Sequence, residues 1–505
     1  MRGNDRENRA DSAPFIHIVR LGESFRVSGS VKHFAGYRLS DGVDGIYGGW
    51  EWNGSQLTIH QDRYGIRPLF YFARGGEFCL APSLFTLIRE GAPIDLDDAA
   101  LAVFLRLGYF LGDDTPFSAI RALPPNASVQ WTSNTVVVRG RSPLSKADTR
   151  LSRAQLVEGF IALFEEAIRR RPGPNGAVMV PLSGGRDSRH ILLELRRIRR
   201  KVDCTVTFRR YPSKTDEDCV IAETLSAAVS TPHVALNPPT SPLEAEQHKN
   251  VVTQFLASEH TEYLPLVDYL VGRAAAVYDG LGGDVLSAGL FLDEQGLTLA
   301  AKGDVLGLAR HLYSPSANAG LRGILTRQAY RRFSQAAAED RISTELSPHF
   351  DAANPVGSFV FWNRTRRQVA LVPYAMLENI PLVYTPYLDW KLFDFLGSIP
   401  ASLLVDHQLH TDVIRQAYPE YAHIPFETKR AGSTNHGFFR RLAMDFLRHL
   451  AERRNSQLLR YSYMLPRLAA VLADGAGARV WFVRTAVYLL QLEALSVTQP
   501  GLLTR

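Results

Sequence analysis

Along the 505 residues, the hydrophobic positions follow two different periods. From the N-terminus to about residue 140 they alternate in short runs, as in Gly49-Trp50-Glu51-Trp52 and Leu57-Thr58-Ile59-His60. Turn pairs such as Asn53-Gly54 and Gly75-Gly76 separate these runs. That spacing predicts a mostly β domain over 1–140, with Glu77-Phe78-Cys79-Leu80 as one further strand. A polar stretch from Arg139 towards Arg153 contains Arg139-Gly140-Arg141-Ser142-Pro143 and reads as a linker. The period then lengthens. Leu156, Phe160, Leu163, Phe164 and Ile168 recur at helical spacing and predict an amphipathic helix over 152–170. From Ala177 strands and helices alternate. Val178–Leu182, Cys204–Phe208 and His233–Leu236 read as strands, with a helix around 220–229. This is the pattern of a doubly wound parallel sheet, so the second domain, 150–505, is predicted to be α/β. Beyond about residue 290 the pattern is helical, with basic faces.

The first predicted strand of that sheet carries the sharpest chemistry. Val178-Met179-Val180-Pro181-Leu182 runs into Ser183-Gly184-Gly185-Arg186-Asp187-Ser188, and apolar residues at helical spacing follow. Two glycines allow a tight turn, the Ser183 hydroxyl is free for a phosphate oxygen, and a helix N-terminus favours an anion. The loop reads as a pyrophosphate cradle, with Asp187 placed to hold the accompanying Mg²⁺. A second apolar segment, Ala275-Ala276-Val277-Tyr278, runs into Asp279-Gly280-Leu281-Gly282-Gly283-Asp284. Two carboxylates from separate loops suit an ion that keeps some waters and borrows phosphate oxygens from its substrate.

These residues carry a resemblance. Ser183-Gly184-Gly185-Arg186-Asp187-Ser188 resembles the pyrophosphate loop of the ATP-pyrophosphatase superfamily: asparagine synthetases, β-lactam synthetases and lasso peptide cyclases. Asp62-Arg63-Tyr64-Gly65-Ile66-Arg67-Pro68-Leu69-Phe70-Tyr71 resembles a signature of the glutaminase domain of asparagine synthetases. Thr115-Pro116-Phe117 and Ile120–Pro125 resemble the end of that domain. The resemblance implies a degenerate N-terminal nucleophile (glutaminase-like) domain, then a synthetase domain with a helical C-terminal part. It implies ATP and Mg²⁺ as cofactors, with nucleotide contacts from Leu182, Ser183, Gly184, Gly185, Asp187, Ser188, Val206, Phe208, Gly282 and Gly283. Asp187 and Asp284 would hold the metal. Thr385–Phe395 and Ile424–Gly432 resemble two further family segments. The second carries a catalytic lysine that maps to Lys429, with Arg430 as the alternative, and the acidic run Asp216-Glu217-Asp218 resembles the start of a family helix.

Departures narrow the chemistry. Family glutaminases use an N-terminal cysteine, whereas position 2 here is Arg and the nearest cysteine is Cys79, which is expected to leave the domain without glutaminase activity. Leu281, Leu382 and Tyr384 replace the Tyr, Glu and Arg of relatives that close β-lactams or bind aspartate, and Val285 replaces the Glu after the metal-binding Asp. The reading is an ATP-dependent amide ligase that adenylates a carboxylate for attack by an amine. It is closest in character to lasso peptide cyclases, with a peptide substrate and a partner protease or leader-binding protein. The alternatives are an ammonia-dependent asparagine synthetase-like enzyme or other small-molecule ligase, and a non-catalytic nucleotide-binding scaffold. Composition fits a soluble protein, at 46% hydrophobic and 21% charged residues. Three scattered cysteines and a polar N-terminus lead to the expectation of a cytoplasmic location. The net charge of +6 is spread along helix faces, so neither nucleic acid nor membrane is expected as a partner.

Overall fold

The computed structural model describes residues 13–132, 135–148, 150–209, 216–313, 315–428, 435–453 and 455–497. The N-terminal strands are β1 (Ile16–Leu21), β2 (Ser24–Gly29), β3 (Lys32–Arg38), β4 (Gly45–Trp52), β5 (Leu57–Gln61), β6 (Phe70–Arg74), β7 (Glu77–Ala81), β8 (Arg121–Ala122), β9 (Ser128–Trp131) and β10 (Val136–Arg139). They form an antiparallel sheet in the order β2-β1-β7-β6-β8, a second of order β3-β4-β5, and the β9–β10 pair. The alternation read from the sequence has a direct cause. Trp50 and Trp52 point into a core with Ile16, Ile18, Phe78 and Leu80, while Glu51 faces solvent. At the Asn53-Gly54 turn, Gly54 takes φ +102° and the Asn53 side chain accepts the Gln56 amide at 2.9 Å.

The helix expected over 152–170 is α1 (Arg153–Arg170), started by a capping box between Ser152 and Gln155. Leu156, Phe160, Phe164 and Ile168 are buried, with Leu163 half-buried at the edge of the stripe. The second sheet is wholly parallel: β11 (Val178–Pro181), β12 (Cys204–Phe208), β13 (His233–Leu236), β14 (Ala276–Tyr278) and β15 (Leu382–Tyr384), in the order β13-β12-β11-β14-β15. The chain winds outwards from β11 to β13 and then returns to the other side of β11. The topological switch point therefore lies between β11 and β14, where ligands of such sheets sit. Four short helices frame this crevice: α2 (Asp187–Arg197), α3 (Glu217–Ala228), α4 (Gly283–Ser287) and, after β15, α5 (Trp390–Gly397). α6 (Leu409–Ala417) packs behind it. Helices fill most of 294–360 and of the C-terminal part, and residues 361–369 wind as a π-helix. Among the described residues, no helix is long and apolar enough to cross a membrane.

The two domains are joined by buried charge. Arg171 is 1% exposed, with its guanidinium 3.7 Å from Asp44 and 3.5 Å from Asp389. Arg63, from the long N-terminal signature, makes a bidentate pair with Asp394 at 2.6 and 2.8 Å. Asp62 beside it folds the signature into a turn by accepting the Tyr64 and Ile66 amides at 2.9 and 3.1 Å. From the π-helix, Arg366 donates to the carbonyls of Gly65 and Leu123. Among its described residues the polar stretch between Arg139 and Arg153 has no helix or strand, yet it is strapped down: the Ala353 amide donates to Ser145 O and the Asp148 amide to Ser398 O, both at 2.9 Å.

Candidate functional site

The loop between β11 and α2 is organised by its own hydroxyls. The Ser183 amide donates to Ser188 Oγ at 3.0 Å, and the Gly185 amide donates to Ser183 Oγ at 3.2 Å. α2 follows Arg186 with no side-chain cap. Its first-turn N–H groups point into the loop, the arrangement that binds phosphate. The Gly184 amide donates to the carboxylate of Asp218. Asp216 caps α3 and Glu217 accepts from Thr428, so the acidic run serves both helix and loop.

Asp187 opens α2 and meets the second glycine-rich turn. Asp284, in the first turn of α4, donates its amide to Asp187 Oδ2 at 3.0 Å. This contact needs the glycines. A Cβ on Gly280 would stand 2.7 Å from Asp187 Cβ, and one on Gly283 would stand 2.5 Å from its Cγ. Burial, and then the neighbouring Asp284, push Asp187 well above the usual carboxylate range. Its Oδ1 is buried without a hydrogen-bond partner. A half-buried carboxylate with one buried, orphaned oxygen, a second carboxylate beside it and an adjacent glycine-rich loop fit a hard divalent cation. Among the described residues no cluster of three or more His, Cys, Asp or Glu could hold a metal alone.

Asp187, Asp284, Ser183, Gly184, Gly185, Ser188, Gly282 and Gly283 thus converge on the switch point. Leu182 is anchored at its edge, with its amide on Val206 O at 2.8 Å and its carbonyl accepting Thr207 Oγ1 at 2.6 Å. Phe208 lies at the end of β12 against Tyr263, with ring centroids 4.7 Å apart. Lys429 and Arg430 lie outside the described residues. The chain leading to them is held over the loop, since the Glu427 amide donates to Gly184 O at 2.9 Å. Buried Arg189 fixes that approach by donating to Ile424 O at 2.8 Å and stacking 4.1 Å over Phe426. Burial pushes its guanidinium down to about 10.

Other residues of the site go unassigned in the sequence. Asp279 follows β14, accepts the Leu281 amide at 2.8 Å, and is pushed up to about 6 by burial. His190 stands one helical turn after Asp187, a spacing that could have flagged it. His410 comes from α6, more than 200 positions away. Its Nε2 lies 3.1 Å from His190 Nδ1 and its Nδ1 3.4 Å from Asp187 Oδ1. Burial pushes both imidazoles down, His410 to about 3. The Tyr387 hydroxyl completes the cluster at 3.3 Å from the carbonyl of Asp187.

Leu281 is buried and Tyr384 turns away from the crevice to donate to Pro172 O at 3.0 Å. Val285, also buried, offers no carboxylate after Asp284. Cys79 is fully buried within β7, and burial drives its thiol far above its ordinary range, so it supplies no nucleophile. Away from the loop, a cleft of about 1390 Å³ opens between the two domains, lined by Tyr71, Asp113, Arg121, Arg141, Arg341 and Trp362. A smaller pocket shares Pro143 and Trp362 with it and ends at Val285 and Leu286, beside Asp284.

Compared with known families, residues 33–140 match a glutamine amidotransferase domain and residues 159–494 match asparagine synthase. No curated protein matches the chain.

Proposed function

The chain belongs to the asparagine synthase family and carries its ATP-using carbon–nitrogen ligase domain; from that premise we propose that it closes a peptide into a macrolactam, as lasso peptide cyclases do. The carboxylate of an Asp or Glu side chain attacks the α-phosphorus of ATP, the bond to the β-phosphate breaks, and pyrophosphate leaves. The peptide's amine then attacks the acyl-adenylate. A C–N bond forms, the C–O bond to AMP breaks with its electron pair, and the amine proton passes to solvent.

One observation carries the ligase reading: the 183–188 loop and the 279–284 turn meet at the switch point, with the Asp284 amide on Asp187. Ser183, Gly184 and Gly185 would hold the departing phosphates, and Asp187 with Asp284 would hold Mg²⁺. When bound, that ion neutralises charge developing on pyrophosphate. Residues 424–428, held by Arg189, cover the loop and exclude water from an adenylate that water would destroy.

The peptide reading is supported by the interdomain cleft. Its volume exceeds the several hundred Å³ usual for a small metabolite. Its walls carry both charge signs, and it shares Pro143 and Trp362 with the pocket that reaches Val285. A cytoplasmic precursor peptide with its processing protease as partner fits this reading.

The test offers ATP, Mg²⁺ and a peptide with a free N-terminal amine and an internal Asp or Glu. The expected product is one water lighter than the peptide, with AMP and pyrophosphate released in equal amounts. Release of ADP and phosphate would sink the ligase mechanism. Amidation of a small carboxylic acid by free ammonia, with no peptide product, would transfer the assignment to a small-molecule ligase.

A further inference from the structure

Within the Ser183–Ser188 loop, Arg186 is the only charged residue besides Asp187. It is half-buried at the start of α2. Its Nε donates to Thr411 Oγ1 at 2.7 Å, and its guanidinium lies 5.2 Å from the centre of the Phe426 ring. Both partners are uncharged, and Thr411 is buried. The head group is thus fixed between the loop, α6 and the segment that covers the loop. Among the described residues it nevertheless forms no ion pair, and Asp187, next in the chain, attracts it only from beyond ion-pair distance.

Its other charged neighbours are cations. Arg189 stacks on the same ring one helical turn later, at 4.1 Å, and spends its own donors on the carbonyls of Ile424 and Pro425. Arg415 follows Thr411 by four residues on α6, which puts the two side chains on one face of that helix. Arg186 is repelled by Arg415 and itself repels Arg189. Three guanidinium groups around one threonine and one phenylalanine are costly without an anion, and Gln would tether the loop to Thr411 without that cost. The backbone sets where the anion belongs. The first turn of α2 has no side-chain cap, so its N–H groups favour phosphate oxygens beside Arg186. A guanidinium there adds a planar fork of donors, the geometry that grips phosphate.

We propose that Arg186 is a further phosphate-binding residue, which holds the β- and γ-phosphates of ATP and keeps its grip on pyrophosphate after the bond to the α-phosphate breaks. The inference rests on the nucleotide role given to the loop in the ligase reading. Adenylation concentrates charge on the leaving pyrophosphate, and a guanidinium already in place favours that charge without reorganising.

Arg186→Met keeps the stem over Phe426 and removes the charge, whereas Arg186→Lys keeps the charge and loses the fork. Binding of ATP, pyrophosphate and adenosine to the whole chain with Mg²⁺ is measured by isothermal titration calorimetry. Arg186→Met should bind ATP and pyrophosphate about 10–100-fold more weakly and adenosine as the wild type does, with Arg186→Lys in between. In the unmutated protein, phenylglyoxal should modify Arg186, located by mass spectrometry, and pyrophosphate but not adenosine should protect it. An Arg186→Met protein with wild-type affinity for ATP and pyrophosphate overturns this proposal alone. An equal loss for adenosine also overturns it, making Arg186 a strut between the loop and α6. Modification that pyrophosphate does not slow overturns it too, and decides the matter if the variants misfold. A wild-type protein that binds neither ATP nor pyrophosphate overturns it together with the ligase reading.

Discussion

Gly283 and Asp187 are in contact across the switch point: a Cβ added to Gly283 would lie 2.5 Å from the Asp187 carboxyl carbon. The residue is glycine because the carboxylate occupies the space a side chain would need. Gly283→Ala should displace Asp187 by about 1 Å, and a displacement of that size typically costs about 10² in rate. ATP–pyrophosphate exchange with the acyl substrate should fall accordingly, as it should for Asp187→Asn and Asp284→Asn. Circular dichroism should remain native in each. Undiminished exchange in Gly283→Ala would show that Asp187 does not work from this position.

Arg189 ties α2 to the segment over the loop through Ile424 O and the Phe426 ring. Arg189→Met keeps the stem but leaves the carbonyls of Ile424 and Pro425 without their donor, at a cost of about 1–3 kcal/mol. Limited proteolysis should then cut near residues 424–428 faster than in the wild type, and the KM for ATP should rise. Equal cleavage rates would mean that other contacts hold the segment.

Acid should destabilise the protein partly through His349, whose Nδ1 lies 2.8 Å from Ser358 Oγ and which burial pushes down to about 4. The unfolded imidazole titrates near 6.5, so below that pH the unfolded chain binds the extra proton. Stability from this group is complete above 6.5 and is lost as pH falls through 4, by about 3 kcal/mol in all. Asp44, pushed up to about 6, has the opposite sign: its contribution is present below 3.8 and lost as pH rises through 6. The comparison is therefore differential. Urea unfolding of His349→Asn should fall less steeply than wild type between pH 6.5 and 4, and parallel curves would remove His349 as a cause.

Asp389→Ala should be the costliest single change at the domain interface. It removes a 2% exposed carboxylate 2.5 Å from Arg170 and 3.5 Å from Arg171. It also removes the cap that accepts the Lys391 amide at 3.1 Å. Leaving Arg171 short of countercharge in the core costs about 3–5 kcal/mol. Denaturation should shift for probes in both domains together; a shift confined to the synthetase domain would show that the interface does not couple them.

How much of this was legible in the sequence depends on whether a feature is local. Cys204–Phe208 and His233–Leu236 are read correctly to the residue, because each is a short β-branched or apolar run bounded by turn residues, the first buried inside the sheet and the second half-buried at its edge. The loop of Ser183–Ser188 is legible as a local motif, and the turn ending at Asp284 is legible because contact with Asp187 forces glycine at 280 and 283. His410 is not, since nothing near it in the chain differs from a core position, and only folding brings it to Asp187. Asp279 sits inside a motif noticed for another carboxylate. The long signature of Asp62–Tyr71 is visible as a pattern, but its physical purpose is not: Asp62 shapes a turn and Arg63 reaches Asp394, on a helix more than 300 residues later.

The burial of Arg171 between Asp44 and Asp389 also bears on how such a chain is inherited. A domain that supplies countercharge to its neighbour's core cannot be shed by a single deletion, whatever has become of its own chemistry. Any lineage that dropped it would have to replace Arg171, Arg366 and Arg63's partner Asp394 at the same time. Selection on the synthetase half therefore also preserves the amidotransferase-like half, because its carboxylate balances a charge in the neighbouring core.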